Sequence, residues 1–98
     1  MNVIAKRTLR AFWEVHPRAE TPLRTWHVLV SRADWSSPVD VKSQFGRLVD
    51  FVADNRIIFD IGGNKFRLIV HVDYAAKRVL VKSIGTYADY DKIDPETV

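Results

Sequence analysis

Lys65, Arg67, His71 and Lys82 put cations, and Tyr87 and Tyr90 put aromatic rings, into one stretch of the chain. Lysine and arginine neutralise phosphate and a tyrosine ring stacks on a base, a combination that fits single-stranded RNA better than duplex DNA. Arginine adds a planar fork able to hold two phosphate oxygens at once. A plainer reading stays open beside this one: a solvated sheet face with ordinary cross-strand pairs such as Lys82 with Asp73. Ile61-Gly62-Gly63-Asn64 could cradle an anion on successive backbone amides, but a tight chain reversal explains it without a ligand. No glycine-rich phosphate loop, HExxH, Gly-x-Ser-x-Gly or cysteine occurs, so the reaction classes those motifs serve are set aside.

These residues need strands to position them. Phe66, Leu68, Val70, Val72 and Tyr74 recur with the two-residue period of a pleated strand, while Arg67, Ile69, His71 and Asp73 point to its other side. Gly62, Gly63 and Asn64 supply a reversal, so RIIFD and KFRLIV form an antiparallel hairpin. A second turn near Ala75 to Arg78 leads into the β-branched run VLVKSI. Beyond it, Thr86 can cap a single helical turn that sets Tyr87 and Tyr90 on one side. The tail PETV is expected to be loose.

The N-terminal half reads as helical cover. Ala5, Leu9, Phe12 and Trp13 fall on one stripe, closed by His16-Pro17, with His16 suited to the negative end of the helix dipole. Thr21 is the expected N-cap of a second helix, with Pro22 at its first position. Trp13 and Trp26 are expected in the core rather than as a base-stacking platform. Ser37 and Pro38 start a third, short helix that ends near Phe45 and Gly46. Met1 to Ile4 is either an edge strand or a frayed start, and Leu48 to Val52 either a strand or an irregular bridge. The order of elements predicts an α+β domain, with N-terminal helices packed on one face of a small antiparallel β-sheet.

The chain has 98 residues, 47% of them hydrophobic, which suits a single domain over residues 1–98. The absence of cysteine excludes disulfides and thiolate metal sites, and the histidines make a poor zinc site, so no metal or cofactor is expected. No apolar run is long enough for a membrane span or a signal peptide, and a cytoplasmic location is expected. A formal charge of +3 suits an anionic partner without demanding one.

GGNKFRLIV, followed by a short turn, a β-run and GTYADYDKID, resembles the HigB toxins of type II toxin–antitoxin systems, small mRNA interferases of the RelE-like fold. The resemblance extends over Arg56 to Asp94, and the two motifs in this order and spacing are more specific than either alone. Tyr87 stands where the family pattern most often has histidine, and Asp89 where it has glutamate. Tyrosine, with a reference pKa of ~10, is a poorer proton acceptor at neutral pH than histidine at ~6.5.

The resemblance implies a RelE-like fold and a metal-independent mRNA endoribonuclease that inhibits translation, with ribosome dependence left open. It also implies a cognate antitoxin partner, a HigA-like helix-turn-helix protein through which alone operator DNA is bound. On that basis Arg67, His71, Lys82, Tyr87 and Tyr90 are the candidate catalytic residues. Asn64, Lys65, Arg67 and Tyr87 are the candidate RNA-binding residues, with Asn64 shaping the turn. Arg67 with Lys65 or Lys82 would bind phosphate, Tyr87 and Tyr90 would stack bases, and His71 is the proposed substitute for the missing histidine. Charge reversal at Arg67 is expected to abolish activity and leave the melting curve unchanged. The alternative is a non-catalytic RNA- or antitoxin-binding protein that lost its activity with the change to Tyr87.

Overall fold

The computed structural model describes residues 1–63, 65–92, 94–96 and 98, in an α+β arrangement. A five-stranded sheet has the order β1 (Asn2–Ile4), β5 (Arg78–Thr86), β4 (Phe66–Asp73), β3 (Arg56–Ile61), β2 (Val49–Val52). The helices are α1 (Lys6–Val15), α2 (Glu20–Arg32), α3 (Pro38–Phe45) and the single turn α4 (Tyr87–Tyr90).

The sheet is mixed, not purely antiparallel as expected. The meander β2 to β5 is antiparallel, but β1 lies parallel to β5, with Val3 opposite Val79. A short first strand can enter a sheet this way because α1, α2, α3 and the meander together form the long crossover that parallel pairing requires. Leu48 to Val52 resolves into a 3-10 turn over Gly46–Leu48 and the strand β2, which pairs with β3.

The central hairpin follows from its turn. Gly62 and Gly63 both take positive φ, 66° and 64°, and a side chain at Gly62 would press on the Phe66 ring at 3.3 Å. Glycine is the residue that tolerates both conditions. With that reversal in place, Ile61 pairs with Phe66 and Asp60 with Arg67. Between β4 and β5 the register slips at Ile69/Val70: Ser83 faces Ile69 and Val81 faces Val70, leaving Lys82 as the extra residue of a β-bulge.

Leu9 and Trp13 of α1, Leu23, Trp26 and Val30 of α2, and Val41 of α3 form one buried cluster with Ile57, Phe59, Leu68, Val70, Val72 and Val79. Trp13 and Trp26 are core residues, as their helical spacing predicts. Trp35, in the break before α3, joins them with its indole N–H donating to Gln44 Oε1 at 2.9 Å. Arg24 clasps α2 to α1, lying 4.7 Å over the Trp13 ring while its Nε donates to Glu20 at 2.8 Å.

Thr21 is not the cap of α2. Pro17 opens a 3-10 turn through Ala19, and the helix continues from it at Glu20; proline's fixed φ suits the first position of such a turn. The tail is also less free than expected, since Arg56 Nε donates to the Val98 carbonyl at 3.2 Å.

Candidate active site

β4 alternates, so Arg67 leaves the sheet on the side opposite Phe66 and Leu68. Asp60 stands directly across from it on β3, and Gly85 on β5. The first neighbour supplies a carboxylate that ion-pairs with the guanidinium; both side chains are about 15% exposed, at 15% for Arg67 and 14% for Asp60. The second supplies space, because glycine leaves the position beside Arg67 empty and lets α4 fold back over it.

That return is tight. A Cβ at Gly85 would lie 2.8 Å from Asp89 Cβ. α4 is held by a reciprocal capping box: the Asp89 amide donates to Thr86 Oγ1 at 3.3 Å and the Thr86 amide to Asp89 Oδ2 at 3.1 Å. These bonds, the Thr86 amide foremost, hold the Asp89 carboxyl below the usual range, and the charges of Lys92 and His16 add to the effect. The capped turn at Thr86 is the element the sequence predicts.

The cap brings both tyrosines to Arg67. The guanidinium carbon lies 4.2 Å from the Tyr87 ring centroid and 5.5 Å from that of Tyr90, and Arg67 Nη2 donates to Tyr87 Oη. With that lone pair occupied, the Tyr87 hydroxyl hydrogen is directed away from Arg67 and is available to an incoming acceptor. Arg67 Nε is buried with no hydrogen-bond partner. The arginine is thus a partly neutralised, clamped group rather than an open fork. Its replacement would strand Asp60, so a charge reversal would register in a melting curve, contrary to the expectation from sequence.

The remaining candidates are more dispersed. Lys65 is exposed in the β3–β4 turn beside Arg67, whereas Asn64 lies outside the described residues. Lys82 is exposed on the bulge, roughly 10 Å along β5 from Gly85 at the usual strand rise. Asp73 does not pair with it: Arg78 faces Asp73 in the register, and Asp73 Oδ1 accepts from the Ala76 amide at 3.0 Å. His71 lies four residues beyond Arg67, about 13 Å along the strand, between Arg56 and Leu80. The structure therefore brings together Arg67, Tyr87 and Tyr90; Lys65 is exposed in the turn two residues before Arg67, and His71 is not brought to them.

Sequence reasoning passed over Asp60, although counting outward from the Gly62-Gly63 turn sets it opposite Arg67. It also treated His16 as a helix-end residue. The His16 ring stacks on Phe12 at 4.5 Å and meets the edge of Phe66 at 6.1 Å, and Phe66 is the register partner of Thr86. No local pattern announces that approach.

Among the described residues no group of three His, Asp or Glu side chains is placed to hold a metal ion, and no helix is long and apolar enough to cross a membrane. An apolar groove of about 240 Å³ runs between α2 and the β3–β4 turn, lined by Pro22, Trp26, Leu29, Phe45 and Leu48. Its lining includes no cation and includes the acidic residue Asp60, which disfavours a phosphate.

Residues 19–93 match the model of a family described as HigB_toxin, RelE-like toxic component of a toxin-antitoxin system. The mRNA interferase HigB of Escherichia coli O6:H1 is 29% identical over 94 residues, covering 95% of this chain and 91% of that protein. The mRNA interferase toxin HigB of Escherichia coli (strain K12) is 24% identical over 92 residues, covering 93% and 88%. The matched span contains Asp60, Arg67, Tyr87 and Tyr90, and begins after His16.

Proposed function

This chain belongs to the HigB toxin family, and on that premise we propose that it is an mRNA endoribonuclease, the toxin component of a type II toxin–antitoxin system that inhibits translation. The observation that carries the reading to this chain is the cluster of Arg67, Tyr87 and Tyr90, a cation within 4.2 and 5.5 Å of two aromatic rings at the end of the sheet. The reading extends to a RelE-like fold with the helices over one sheet face.

The proposed reaction is internal transfer. A ribose 2′-oxygen bonds to the adjacent phosphorus, the bond from phosphorus to the 5′-oxygen breaks, and a cyclic phosphate and a 5′-hydroxyl result. One group must take the 2′-hydroxyl proton, another must donate to the leaving oxygen, and cations must meet the charge on the phosphorane. Tyr87 is the donor, since Arg67 occupies its lone pair and leaves its hydrogen free. Arg67 and Lys65 stabilise the phosphorane, Tyr90 stacks a base, and Lys82 holds the strand farther along. None of these roles calls for a metal.

In the proposed setting the toxin acts in the cytoplasm on mRNA, on the ribosome or free. It is covered by a HigA-like helix-turn-helix antitoxin, which alone contacts operator DNA. A second reading, RNA or antitoxin binding without cleavage, draws on the Asp60 ion pair, which leaves Arg67 less charge for a phosphorane.

The test is incubation of the purified chain with labelled mRNA in EDTA, with and without translating ribosomes, beside Tyr87→Phe. Cleavage that survives the chelator and falls about 100-fold or more on loss of the hydroxyl supports the reading. A folded chain that binds mRNA and cuts it in neither arm supports the second one.

A further inference from the structure

Arg67 meets Asp60, the Tyr87 hydroxyl and ring, and the Tyr90 ring, and of these only Asp60 carries a charge. Its Nη1 pairs with the carboxylate, its Nη2 donates to Tyr87 Oη, and its Nε is buried with no hydrogen-bond partner. Each nitrogen is thereby engaged or enclosed. The two-pronged grip that arginine ordinarily offers a phosphate is closed.

Asp60 has no competitor for this hold on Arg67. On β4 the arginine lies between Asp60 of β3 and Gly85 of β5, and a glycine can neither pair with a guanidinium nor confine it. Asp89, two residues from Tyr87, is taken up by the Thr86 amide in the capping box. The Arg67 and Asp60 side chains are 15% and 14% exposed, and a pair so far withdrawn from water is held more firmly than a surface pair.

Resting on the endoribonuclease reading above, we propose that Asp60 is a positioning residue of this site, which holds Arg67 against Tyr87 and keeps its fork from closing on RNA. Asp60 touches neither the substrate nor the reacting atoms and acts through Arg67. While the pair stands, Nη2 stays on Tyr87 Oη and the hydroxyl hydrogen stays directed away from Arg67, toward the leaving oxygen. Part of the arginine's affinity for phosphate is given up for the orientation of the proton donor. Without Asp60 the guanidinium is free to swing from Tyr87 to a phosphate oxygen of the strand. Binding then strengthens while the chemical step weakens, because the phosphate is gripped in the ground state as in the transition state and the proton is no longer aimed.

The test compares wild type, Asp60→Ala and Asp60→Asn in three measurements. Affinity for a 2′-O-methylated single-stranded RNA, which cannot be cut by internal transfer, is followed against salt concentration; single-turnover mRNA cleavage is followed with and without ribosomes; thermal melts run in parallel. For Asp60→Ala the expected results are tighter RNA binding, a logarithmic salt slope steeper by about 0.7, as one further phosphate contact on a single strand requires, and cleavage slower by about 100-fold. Asp60→Asn keeps an oxygen to accept from Nη1 and loses only the charge, so it should gain affinity and lose less rate; it serves if the alanine variant does not fold. A merely structural role would lower affinity, rate and melting temperature together, and that outcome overturns the proposal. A folded variant with the wild-type salt slope overturns it too, as does an alanine variant with the wild-type rate, and all three leave the endoribonuclease reading intact. A wild-type chain that cuts mRNA in neither ribosome arm overturns that reading and the proposal with it.

Discussion

On one face of β4, Phe66, Leu68, Val70 and Val72 are sealed by apolar contact, each 6% exposed or less. On the other, Arg67 is held by an ion pair, a hydrogen bond and two tyrosine rings. The first face is held by many interchangeable contacts, none directional, and serves stability. The second depends on a few directional contacts that fail if one partner is removed, and those same contacts aim the Tyr87 hydroxyl. Ile69 and its partner Ile58, on Arg67's face, are buried as well, so that face adds directional contacts to apolar ones, and substitutions at Leu68 and at Arg67 report on the two kinds of contact separately.

The largest expected effect is on the apolar face. Leu68 is fully buried, and Leu68→Ala should cost about 2–5 kcal/mol, read as a lowered urea midpoint, with cleavage falling only as the folded fraction falls. A variant that melts normally but has lost cleavage would break the division of labour.

Next is the clamp. Arg67→Ala leaves Asp60 largely buried without its partner and should cost about 3 kcal/mol as well as cleavage. The double variant Asp60→Ala/Arg67→Ala should recover much of the stability and none of the activity, because removing both charges relieves the desolvation penalty. A double variant no more stable than Arg67→Ala would mean that the ion pair is not what holds this face.

Gly85→Ala sharpens the comparison further. The added methyl would meet Asp89 Cβ at 2.8 Å and must displace α4, for about 1–3 kcal/mol. Cleavage should drop more than the melting temperature does, since the displaced turn carries Tyr87 and Tyr90 while the core is untouched. Equal effects on both would show α4 to be a stabilising lid rather than a presenting one.

The smallest effect concerns pH. Asp89 is held below its usual range by Thr86, so its contribution is present above the ordinary aspartate value of ~3.9 and is lost as pH falls through the lower folded value. Exposure keeps this contribution small. The Thr86 amide resonance should shift through that acid window, and Asp89→Asn should abolish the shift. Asp34, also held low, by the ammonium of Lys77, serves as a control away from the site, and Asp34→Asn should leave the Thr86 titration unchanged.

Much of this arrangement was legible in the chain. The alternation from Phe66 to Tyr74, the Gly62-Gly63 reversal, the Thr86 cap and the termination of α3 at Gly46, where φ is 58°, are each set within a few residues. The start of α2 was not legible, since Thr21 and Pro22 imitate a cap that the 3-10 turn from Pro17 makes unnecessary. β1 was legible only as one of two alternatives, an edge strand or a frayed start; it is an edge strand, but its parallel partner, more than seventy positions away, left no local signal. The site was half legible: Arg67, Tyr87 and Tyr90 meet, but Asp60 was overlooked and His71 is remote.

The sequence by itself determined the strands of the hairpin, the turns, the capped tyrosine turn and the family. These depend on backbone preference and side-chain period, which act over neighbouring residues, and on motif order, which is read directly. The tertiary structure alone decided that Asp60 ion-pairs with Arg67, that Arg67 donates to the Tyr87 hydroxyl, and that His16 packs between α1 and the Phe66 face of the sheet. Strand register, a bulge and the packing of α1 set those meetings, and contacts between distant segments are selected by burial and close packing, which leave no local pattern to read.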